Sequence, residues 1–203
     1  MGMIFPGRIE PNVTVGGCID IFENAWPNPE ETIKLLEETC SNPDSGLVWE
    51  RAGTLDKGMN QKMRTNYHMG LTYHAQMGSD VAQAIHNQMY ILLLASLSSY
   101  VERYDIHENL YHDSYNVLRY SGGQEYKAHY DGGTYTKRSV SAIVYLNNDY
   151  EGGHLEFPNY KVKIKPEPGM LILFPSNYAY THIAHPVTSG TKYALVTWMM
   201  DRE

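Results

Sequence analysis

The chain has 203 residues, a net charge of -7 at pH 7 and a hydrophobic content of 42%. This length fits a single domain, and the apolar fraction is sufficient for a sizeable core. The acidic balance disfavours a protein that binds nucleic acid or an anionic membrane. Cys18 and Cys40 form no C-x-x-C pair, so we expect reduced thiols.

The N-terminal sequence predicts neither secretion nor membrane anchoring. It has neither the basic region nor the apolar region of a signal peptide. The longest apolar run, residues 90–97, is far shorter than a membrane-spanning helix. We therefore expect a cytoplasmic protein with no membrane partner.

The first half of the chain is predicted to contain two helices. A short strand is expected over residues 15–22. Residues 28–31, with the sequence Asn-Pro-Glu-Glu, predict a helix start because they supply a cap residue, an early proline and an acidic first turn. This helix ends before Pro43, and residues 44–76 predict a long loop with short strands. A second helix over 79–104 has one apolar face, which indicates that it braces a sheet.

From residue 114 onward the pattern changes to short β-type segments separated by Gly and Pro turns. Many short strands at this spacing are typical of a sandwich or a jelly roll. We therefore predict a mainly β fold with supporting helices, in which residues 1–203 form one domain. A double-stranded β-helix (jelly roll) core occupies about 114–201, and helical support occupies about 28–104. The predicted strands are 115–120, 125–130, 139–146, 154–157, 161–164, 170–174, 180–185 and 192–199.

A candidate metal site begins at the end of the second of these strands. His129 and Asp131 are two positions apart, so in a strand both side chains point to the same face. With a distal histidine they can form a two-histidine, one-carboxylate face, the arrangement of non-haem iron oxygenases. The spacing alone is common, since His154 and Glu156 share it. Only the first pair is followed by a distal histidine and a basic residue at suitable positions.

The third ligand has two candidates, His182 and His185. They are three positions apart, so on a strand they point to opposite faces. His185 precedes Pro186, which fits the entry to a turn, whereas His182 lies deeper in the strand. We therefore expect His182 to be the third ligand.

Lys192 begins the last predicted strand and completes the pattern. It shares a strand face with Ala194, Val196 and Trp198. An inward lysine on an apolar face is costly without an anion. The distal carboxylate of a keto-acid co-substrate would remove that cost, which favours a dioxygenase that uses iron(II) and 2-oxoglutarate.

A longer series of residues connects these candidates. It runs Tyr120-Ser-Gly-Gly-Gln-Glu-Tyr126-x-x-His129-x-Asp131, Arg138 before Tyr145-Leu146-Asn147, Gly152-Gly153-x-Leu155-x-Phe157-Pro158, Pro168-Gly169, His182-x-x-x-Pro186-Val187 and Gly190-x-Lys192 with Trp198. The series resembles the 2-oxoglutarate dioxygenases of the prolyl 4-hydroxylase type, over about residues 114–201. In that family the distal ligand stands four positions before the Pro-Val pair, which supports His182.

The resemblance does not select one enzyme of the family. The short loop from His129 to Arg138, and Leu155 after the glycine pair, are similar to the oxygen-sensing prolyl hydroxylases. Lys192 is similar to the collagen-type enzymes, because the oxygen sensors carry arginine at that position. The match is therefore to a branch of the superfamily.

The resemblance implies a set of cofactors and the residues that bind them. Fe(II) would be held by His129, Asp131 and His182. The co-substrate 2-oxoglutarate would pair through its distal carboxylate with Lys192, and O2 would be the oxidant. Ascorbate is expected as the reductant. The remaining residues expected around the co-substrate are Tyr145 or Tyr120, as hydrogen-bond donors to the same carboxylate, and Leu155.

The resemblance also implies a substrate site. Tyr126 and Trp198 would face the iron and the substrate. Arg138 would reach the backbone or a carboxylate of the substrate, and Tyr130 would also contact it. The predicted function is hydroxylation of an unactivated C–H bond, in a prolyl residue of a protein or peptide.

Two other functions stay open at this point. The first is hydroxylation of a free amino acid or another small molecule with the same cofactors. The second is a non-catalytic metal-binding jelly roll, which Lys192 disfavours because a bare metal site needs no keto-acid anchor. The sequence leaves the oligomeric state open, and the acidic balance disfavours nucleic acid as a substrate.

Overall fold

The computed structural model describes residues 7–53, 62–133 and 136–202. Within them lie three α-helices, α1 (Pro29–Ser41), α2 (Leu71–Gln76) and α3 (Asp80–Arg103). The strands are β1 (Val13–Val15), β2 (Ile19–Phe22), β3 (Glu50–Arg51), β4 (Tyr67–Gly70), β5 (Leu110–His112), β6 (Asn116–Ser121), β7 (Tyr126–His129), β8 (Arg138–Tyr145), β9 (Glu151–Gly152), β10 (Leu155–Phe157), β11 (Val162–Ile164), β12 (Leu171–Pro175), β13 (His182–Ala184), β14 (Val187–Ser189) and β15 (Thr191–Asp201).

Both predicted helices are present. Helix α1 begins at Pro29, and Asn28 occupies its cap position in a left-handed conformation with a φ of 51°. The Asn28 side chain makes no capping hydrogen bond, so the helix start is correct although the expected side-chain cap does not form. Helix α3 is capped by the Ser79 hydroxyl, which accepts a hydrogen bond from the Ala82 N–H at 3.3 Å.

The single strand predicted over 15–22 is wrong. The structure divides this segment into β1 and β2, which pair antiparallel as a hairpin. Gly16 and Gly17 form the turn with φ values of 53° and 83°, a conformation that glycine adopts without steric cost. The glycine pair was the signal in the sequence that a turn interrupts this segment.

The strands form two main antiparallel sheets, which confirms the predicted double-stranded β-helix. The larger sheet has nine strands in the order β1-β2-β12-β8-β15-β6-β4-β3, with β5 also paired to β15. The smaller sheet has the order β11-β10-β13-β7, and β14 pairs with β9 in a separate ribbon. Every predicted strand after residue 114 has a counterpart in these sheets.

The larger sheet separates two packed regions, because alternate residues of its central strands point to opposite faces. On one face, Met89 and Leu93 of α3 share a hydrophobic cluster with Leu195 of β15, so the helix braces the sheet as predicted. On the other face, Phe157 and Phe174 pack between the two sheets. None of the described helices combines the length and the apolar character needed to cross a membrane.

Candidate active site

A cavity of about 730 Å³ lies on the face of the larger sheet opposite to α3. Its wall includes residues of β6, β7, β8, β13 and β15, so both sheets contribute to it. The residues predicted from the sequence to bind metal, co-substrate or substrate all line this cavity: Tyr120, Tyr126, His129, Tyr130, Asp131, Arg138, Tyr145, Leu155, His182, Lys192 and Trp198. The fold thus brings together side chains that are up to 78 positions apart (120 to 198) in the chain.

His129, Asp131 and His182 form the cluster at the centre of this wall. His129 and His182 are directly opposed partners in the pairing of β7 with β13, and Asp131 follows two residues after His129. One ligand atom from each side chain lies within 4.8 Å of the others. The Asp131 carboxylate oxygens are 3.6 Å from His129 Nε2 and 3.8 Å from His182 Nε2. Such a cluster can hold one metal ion on a single face.

The histidine rings are oriented by backbone carbonyls. His129 Nδ1 donates to the Lys127 carbonyl at 2.7 Å, and His182 Nδ1 donates to the Tyr180 carbonyl at 3.1 Å. A carbonyl can only accept, so the proton of each neutral ring lies on Nδ1. Nε2 of each ring therefore presents a lone pair to the cluster, as a metal ligand requires.

The charges of the cluster also suit a metal ion. Burial, reinforced by the neighbouring His182, lowers the pKa of His129 and keeps its ring neutral. Burial alone would raise the pKa of Asp131, but His182, His129, Ser141 and Trp198 more than compensate, so this pKa is lowered. His129 and Asp131 are therefore held in the unprotonated forms that bind metals.

The alternative ligand His185 is engaged elsewhere. Its Nε2 atom lies 2.5 Å from Oε2 of Glu156, on the neighbouring strand β10. Glu156 and His154 form the other pair with the spacing of His129 and Asp131, and His154 is absent from the described metal-binding cluster. The geometry therefore agrees with the sequence-based choice of His182.

Lys192 is a buried cation in the wall of the same cavity. Only 2% of its surface is exposed, and its ammonium donates to the Gly153 carbonyl at 2.5 Å. In the part of the chain that the structure describes, no carboxylate pairs with it. Burial lowers its pKa to about 7. An anion bound beside it would therefore be strongly favoured, which is the fit expected for the distal carboxylate of 2-oxoglutarate.

Two tyrosines flank the Lys192 ammonium. It lies 4.9 Å from the ring centre of Tyr145 and 5.6 Å from that of Tyr120. Burial raises the pKa of Tyr120 to about 12 and that of Tyr145 well above its usual value, so both phenols stay protonated donors. Leu155 is buried and contributes an apolar part of the wall. These side chains could enclose a small dicarboxylate.

The predicted substrate residues lie toward the metal cluster and the rim. The Tyr126 ring stacks on His129 with centroids 3.4 Å apart. The Arg138 guanidinium lies 3.5 Å from the ring centre of Trp198. Tyr130 is 48% exposed and therefore lies where the cavity meets solvent.

Sequence reasoning missed two partners of these residues. Arg138 is paired with Asp113 at 2.9 Å, and Asp113 is 25 positions earlier in the chain. Arg64 lies over the Tyr126 ring at 4.8 Å and donates to Asn66 and to the Gly53 carbonyl. Both contacts depend on strand order, which the local sequence pattern does not reveal.

A third missed residue is Ser141, which contacts the metal-binding cluster. Its hydroxyl lies 2.7 Å from Oδ2 of Asp131. Ser141 shares a face of β8 with Ile143 and Tyr145, which both line the cavity. The alternation of this strand was the signal that could have placed Ser141 at the site.

Comparison with known proteins identifies the segment that carries this site. Residues 115–200 match the model of the 2OG-Fe(II) oxygenase superfamily. This match and the relatives below support a 2OG-Fe(II) oxygenase of the prolyl 4-hydroxylase type. Proteins of this superfamily use Fe(II), 2-oxoglutarate and O2, and the cluster of His129, Asp131 and His182 fits such a metal.

Curated proteins similar to this segment include prolyl hydroxylases. A protein described as a putative prolyl 4-hydroxylase of Acanthamoeba polyphaga mimivirus is 33% identical over 110 residues, which cover 43% of this chain and 44% of the relative. The chain therefore spans less than half the length of the curated prolyl 4-hydroxylases that it matches.

Two solved structures show that the similarity in fold extends over most of the chain. The viral collagen prolyl hydroxylase of Paramecium Bursaria Chlorella virus-1, in its 2OG complex, has a TM-score of 0.65 and 23% identity over 92% of this chain and 98% of that one. A prolyl hydroxylase from Trichoplax adhaerens, in complex with a hypoxia inducible factor peptide, has a TM-score of 0.69 and 21% identity over 92% of this chain and 84% of that one. At these identities the comparison establishes the fold alone.

Proposed function

We propose that the protein is an Fe(II)- and 2-oxoglutarate-dependent dioxygenase that hydroxylates a prolyl residue in a protein or peptide. The observation that carries this proposal is the buried Lys192, which faces the same cavity as the metal-binding cluster and has no carboxylate partner among the described residues. A metal-binding jelly roll without a co-substrate would gain nothing from a buried cation at this position.

The residues of the cavity divide into a metal end and a co-substrate end. His129, Asp131 and His182 would hold the iron. Bound iron and 2-oxoglutarate supply the chemistry that oxidises an unactivated C–H bond with O2 and releases succinate and CO2. Lys192 would bind the distal carboxylate through a charge-assisted hydrogen bond. This contact would fix the orientation of the co-substrate with respect to the metal.

The walls between these two ends would limit access of water. Ile143, Leu155, Ala194 and Val196 line the cavity with apolar surface. The protonated phenols of Tyr120 and Tyr145 would donate to the co-substrate without adding charge. A dry pocket of this kind strengthens the contact of Lys192 with a carboxylate.

Arg138 favours a peptide substrate over a free carboxylate. Its charge is compensated by Asp113 at 2.9 Å, and its guanidinium carbon lies 3.5 Å from the centre of the Trp198 ring. A guanidinium whose charge is already compensated can donate a hydrogen bond to the carbonyl oxygen of a peptide backbone. The named relatives, which are prolyl hydroxylases, support a prolyl residue as the target.

A free amino acid is the second candidate substrate, and Arg64 is the observation that favours it. Arg64 also lines the cavity, and no carboxylate pairs with it within the described ranges 7–53, 62–133 and 136–202. A substrate carboxylate could bind there. A cytoplasmic location, a single domain over 1–203 and ascorbate as reductant remain predictions.

The experiment that tests the proposed function measures succinate formed from 2-oxoglutarate in the presence of ferrous iron and ascorbate. The reaction is run alone, with a library of proline-containing peptides and with free amino acids. Stimulation by a peptide supports the prolyl hydroxylase, and stimulation by free amino acids alone supports the second candidate. No turnover with any of them, together with no iron-dependent binding of 2-oxoglutarate, would contradict both.

A further inference from the structure

We propose that Ser141, oriented by Ser176, is a positioning residue that makes Asp131 bind the metal through Oδ1 alone. The proposal rests on the proposed function in one respect, namely that Asp131 is a metal ligand. It adds a chain of two buried hydroxyl groups behind that ligand.

The contacts of the two hydroxyl groups determine which group donates and which accepts in each hydrogen bond. Oδ2 of Asp131 lies 2.7 Å from the Ser141 hydroxyl oxygen, and an ionised carboxylate can only accept, so Ser141 donates. The Ser141 oxygen then accepts from the Ser176 hydroxyl, 2.8 Å away. Both serines are 1% exposed, so water does not compete for either hydroxyl. A donor that is itself oriented makes a stronger and better directed hydrogen bond.

The two oxygens of Asp131 are therefore not equivalent. Oδ2 carries the hydrogen bond from Ser141, which withdraws part of its negative charge. Oδ1 receives no hydrogen bond from Ser141 and lies 3.6 Å from Nε2 of His129. Trp198 also donates a hydrogen bond to this carboxylate. Because Ser141 is itself oriented by Ser176, we take the oxygen that accepts from Ser141 as the weaker ligand, so a metal ion at the cluster would be bound through Oδ1.

The backbone around Asp131 is held by the same serine. The Ser176 carbonyl accepts a hydrogen bond from the Gly132 N–H at 2.7 Å. The Ser176 N–H donates to the Ser139 carbonyl at 3.0 Å. A Cβ atom on Gly132 would lie only 3.0 Å from the Ser176 carbonyl oxygen, so the chain approaches closely here. Ser176 thus connects the residue after Asp131 to the start of β8.

Binding through one carboxylate oxygen has a consequence for the reaction. An octahedral metal with two histidines and a single carboxylate oxygen keeps three positions open. A keto acid that chelates needs two of them, and O2 needs the third. A carboxylate that bound through both oxygens would occupy one of these positions. Ser141 would therefore keep that position available for the keto acid or for O2.

The test uses Co(II) as a probe, titrated into the protein without 2-oxoglutarate while visible absorption is recorded. Removal of a hydrogen bond to a metal ligand typically costs about 10–100-fold in metal affinity. We expect Ser141→Ala to weaken Co(II) binding by about that factor, because the Asp131 carboxylate is then no longer held in one orientation. The absorption band should change as well, because the freed carboxylate can turn and present either oxygen or both to the metal. Ser141→Thr keeps the hydroxyl and should restore both properties.

Two further variants complete the design. Ser176→Ala should have a smaller effect in the same direction. If Ser141→Ala does not fold, Ser176→Ala is the variant that tests whether the hydroxyl groups orient Asp131. Ser96→Ala is the matched control, because Ser96 is fully buried and its hydroxyl donates to the Leu92 carbonyl in α3. An unchanged affinity and spectrum in Ser141→Ala, or in Ser176→Ala if only that variant folds, would overturn the proposal.

The outcomes separate this proposal from the proposed function. If the wild-type protein binds Co(II) and Ser141→Ala weakens that binding, the positioning role stands even when no substrate supports turnover. If turnover is observed and the Co(II) affinity does not depend on Ser141, the enzyme function stands and the positioning role fails. A wild-type protein that binds no Co(II) contradicts the positioning role directly.

Discussion

The Lys192 ammonium donates to the carbonyl of Gly153 at 2.5 Å, and no carboxylate of the described residues pairs with it. Gly153 is 39 positions earlier in the chain and follows the short strand β9. One carbonyl does not neutralise a buried cation, so Lys192 is left with an unsatisfied charge in an apolar wall. A negatively charged co-substrate bound in the cavity would supply the missing partner.

Replacement of Lys192 should act mainly on the co-substrate. Lys192→Ala removes a charge-assisted hydrogen bond worth about 1.5–3 kcal/mol, so we expect the KM for 2-oxoglutarate to rise at least roughly tenfold. Lys192→Arg keeps the charge and should lose less. The measurement is succinate formation against 2-oxoglutarate concentration. An unchanged KM in Lys192→Ala would show that the anchor lies elsewhere.

The affinity for 2-oxoglutarate should also depend on pH. Burial lowers the pKa of Lys192 from 10.5 to about 7, so in the free protein the ammonium loses its proton above about pH 7. The dicarboxylate binds the protonated form, so binding takes up a proton and affinity should fall as pH rises above that value, by at most about tenfold per pH unit. Isothermal titration across this range measures the effect.

Lys192→Arg is the control for this pH dependence. Arginine stays protonated throughout the accessible pH range, so the slope should disappear in that variant. Lys192 should also make the stability of the ligand-free protein depend on pH. Between about pH 7 and 10.5 the unfolded chain binds more protons at this lysine, so the free energy of unfolding should rise with pH. An equal pH slope in wild type and Lys192→Arg would exclude Lys192 as the titrating group.

The glycine pair beside Lys192 is expected to be essential for packing. A Cβ on Gly152 would lie 2.2 Å from the Pro186 carbonyl oxygen, and the φ of Gly152 is 77°. Gly122 has a similar positive φ of 53° but open space around it. Overpacking costs about 1–3 kcal/mol, so Gly152→Ala should destabilise the protein by that much more than Gly122→Ala. Denaturant unfolding measures both, and equal losses would contradict the close approach.

Arg64 should contribute to substrate affinity but not to co-substrate affinity. Arg64→Gln removes a guanidinium that lies over Tyr126, while Lys192 keeps its surroundings. We expect the KM for the peptide or amino-acid substrate to rise by roughly tenfold, with little change in the KM for 2-oxoglutarate. Arg51→Gln is the matched control, because Arg51 stacks on Tyr67 and bonds the Thr65 carbonyl but does not line the cavity. Equal effects of the two substitutions would refute a specific role for Arg64.

Much of the β core could be predicted because its strands carry a regular alternation and lie between glycine or proline turns. Strands β6, β7, β8 and β15 lie within two residues of their predicted positions. The short strands β9 and β14, which pair with each other in a separate ribbon, were missed, although the three-residue strands β10, β11 and β13 were predicted.

The candidate metal ligands were predictable because local spacing limits the choice of residues. His129 and Asp131 are two positions apart, and His182 and His185 were the candidates for the third ligand. The contacts of Asp131 with Ser141 and of Arg138 with Asp113 depend instead on which strands become neighbours. Strand order is set by tertiary packing, so these partners appear only in the folded chain.

The most direct test of the central claim follows the oxygen atoms. The protein is incubated with ferrous iron, 2-oxoglutarate, a stimulating peptide and heavy-isotope-labelled O2, and the products are analysed by mass spectrometry. A dioxygenase of this type should place one labelled atom in succinate and one in the hydroxylated peptide. Hydroxylated peptide without labelled succinate, or no label in either product, would contradict the assignment of this cavity as a 2-oxoglutarate-dependent active site.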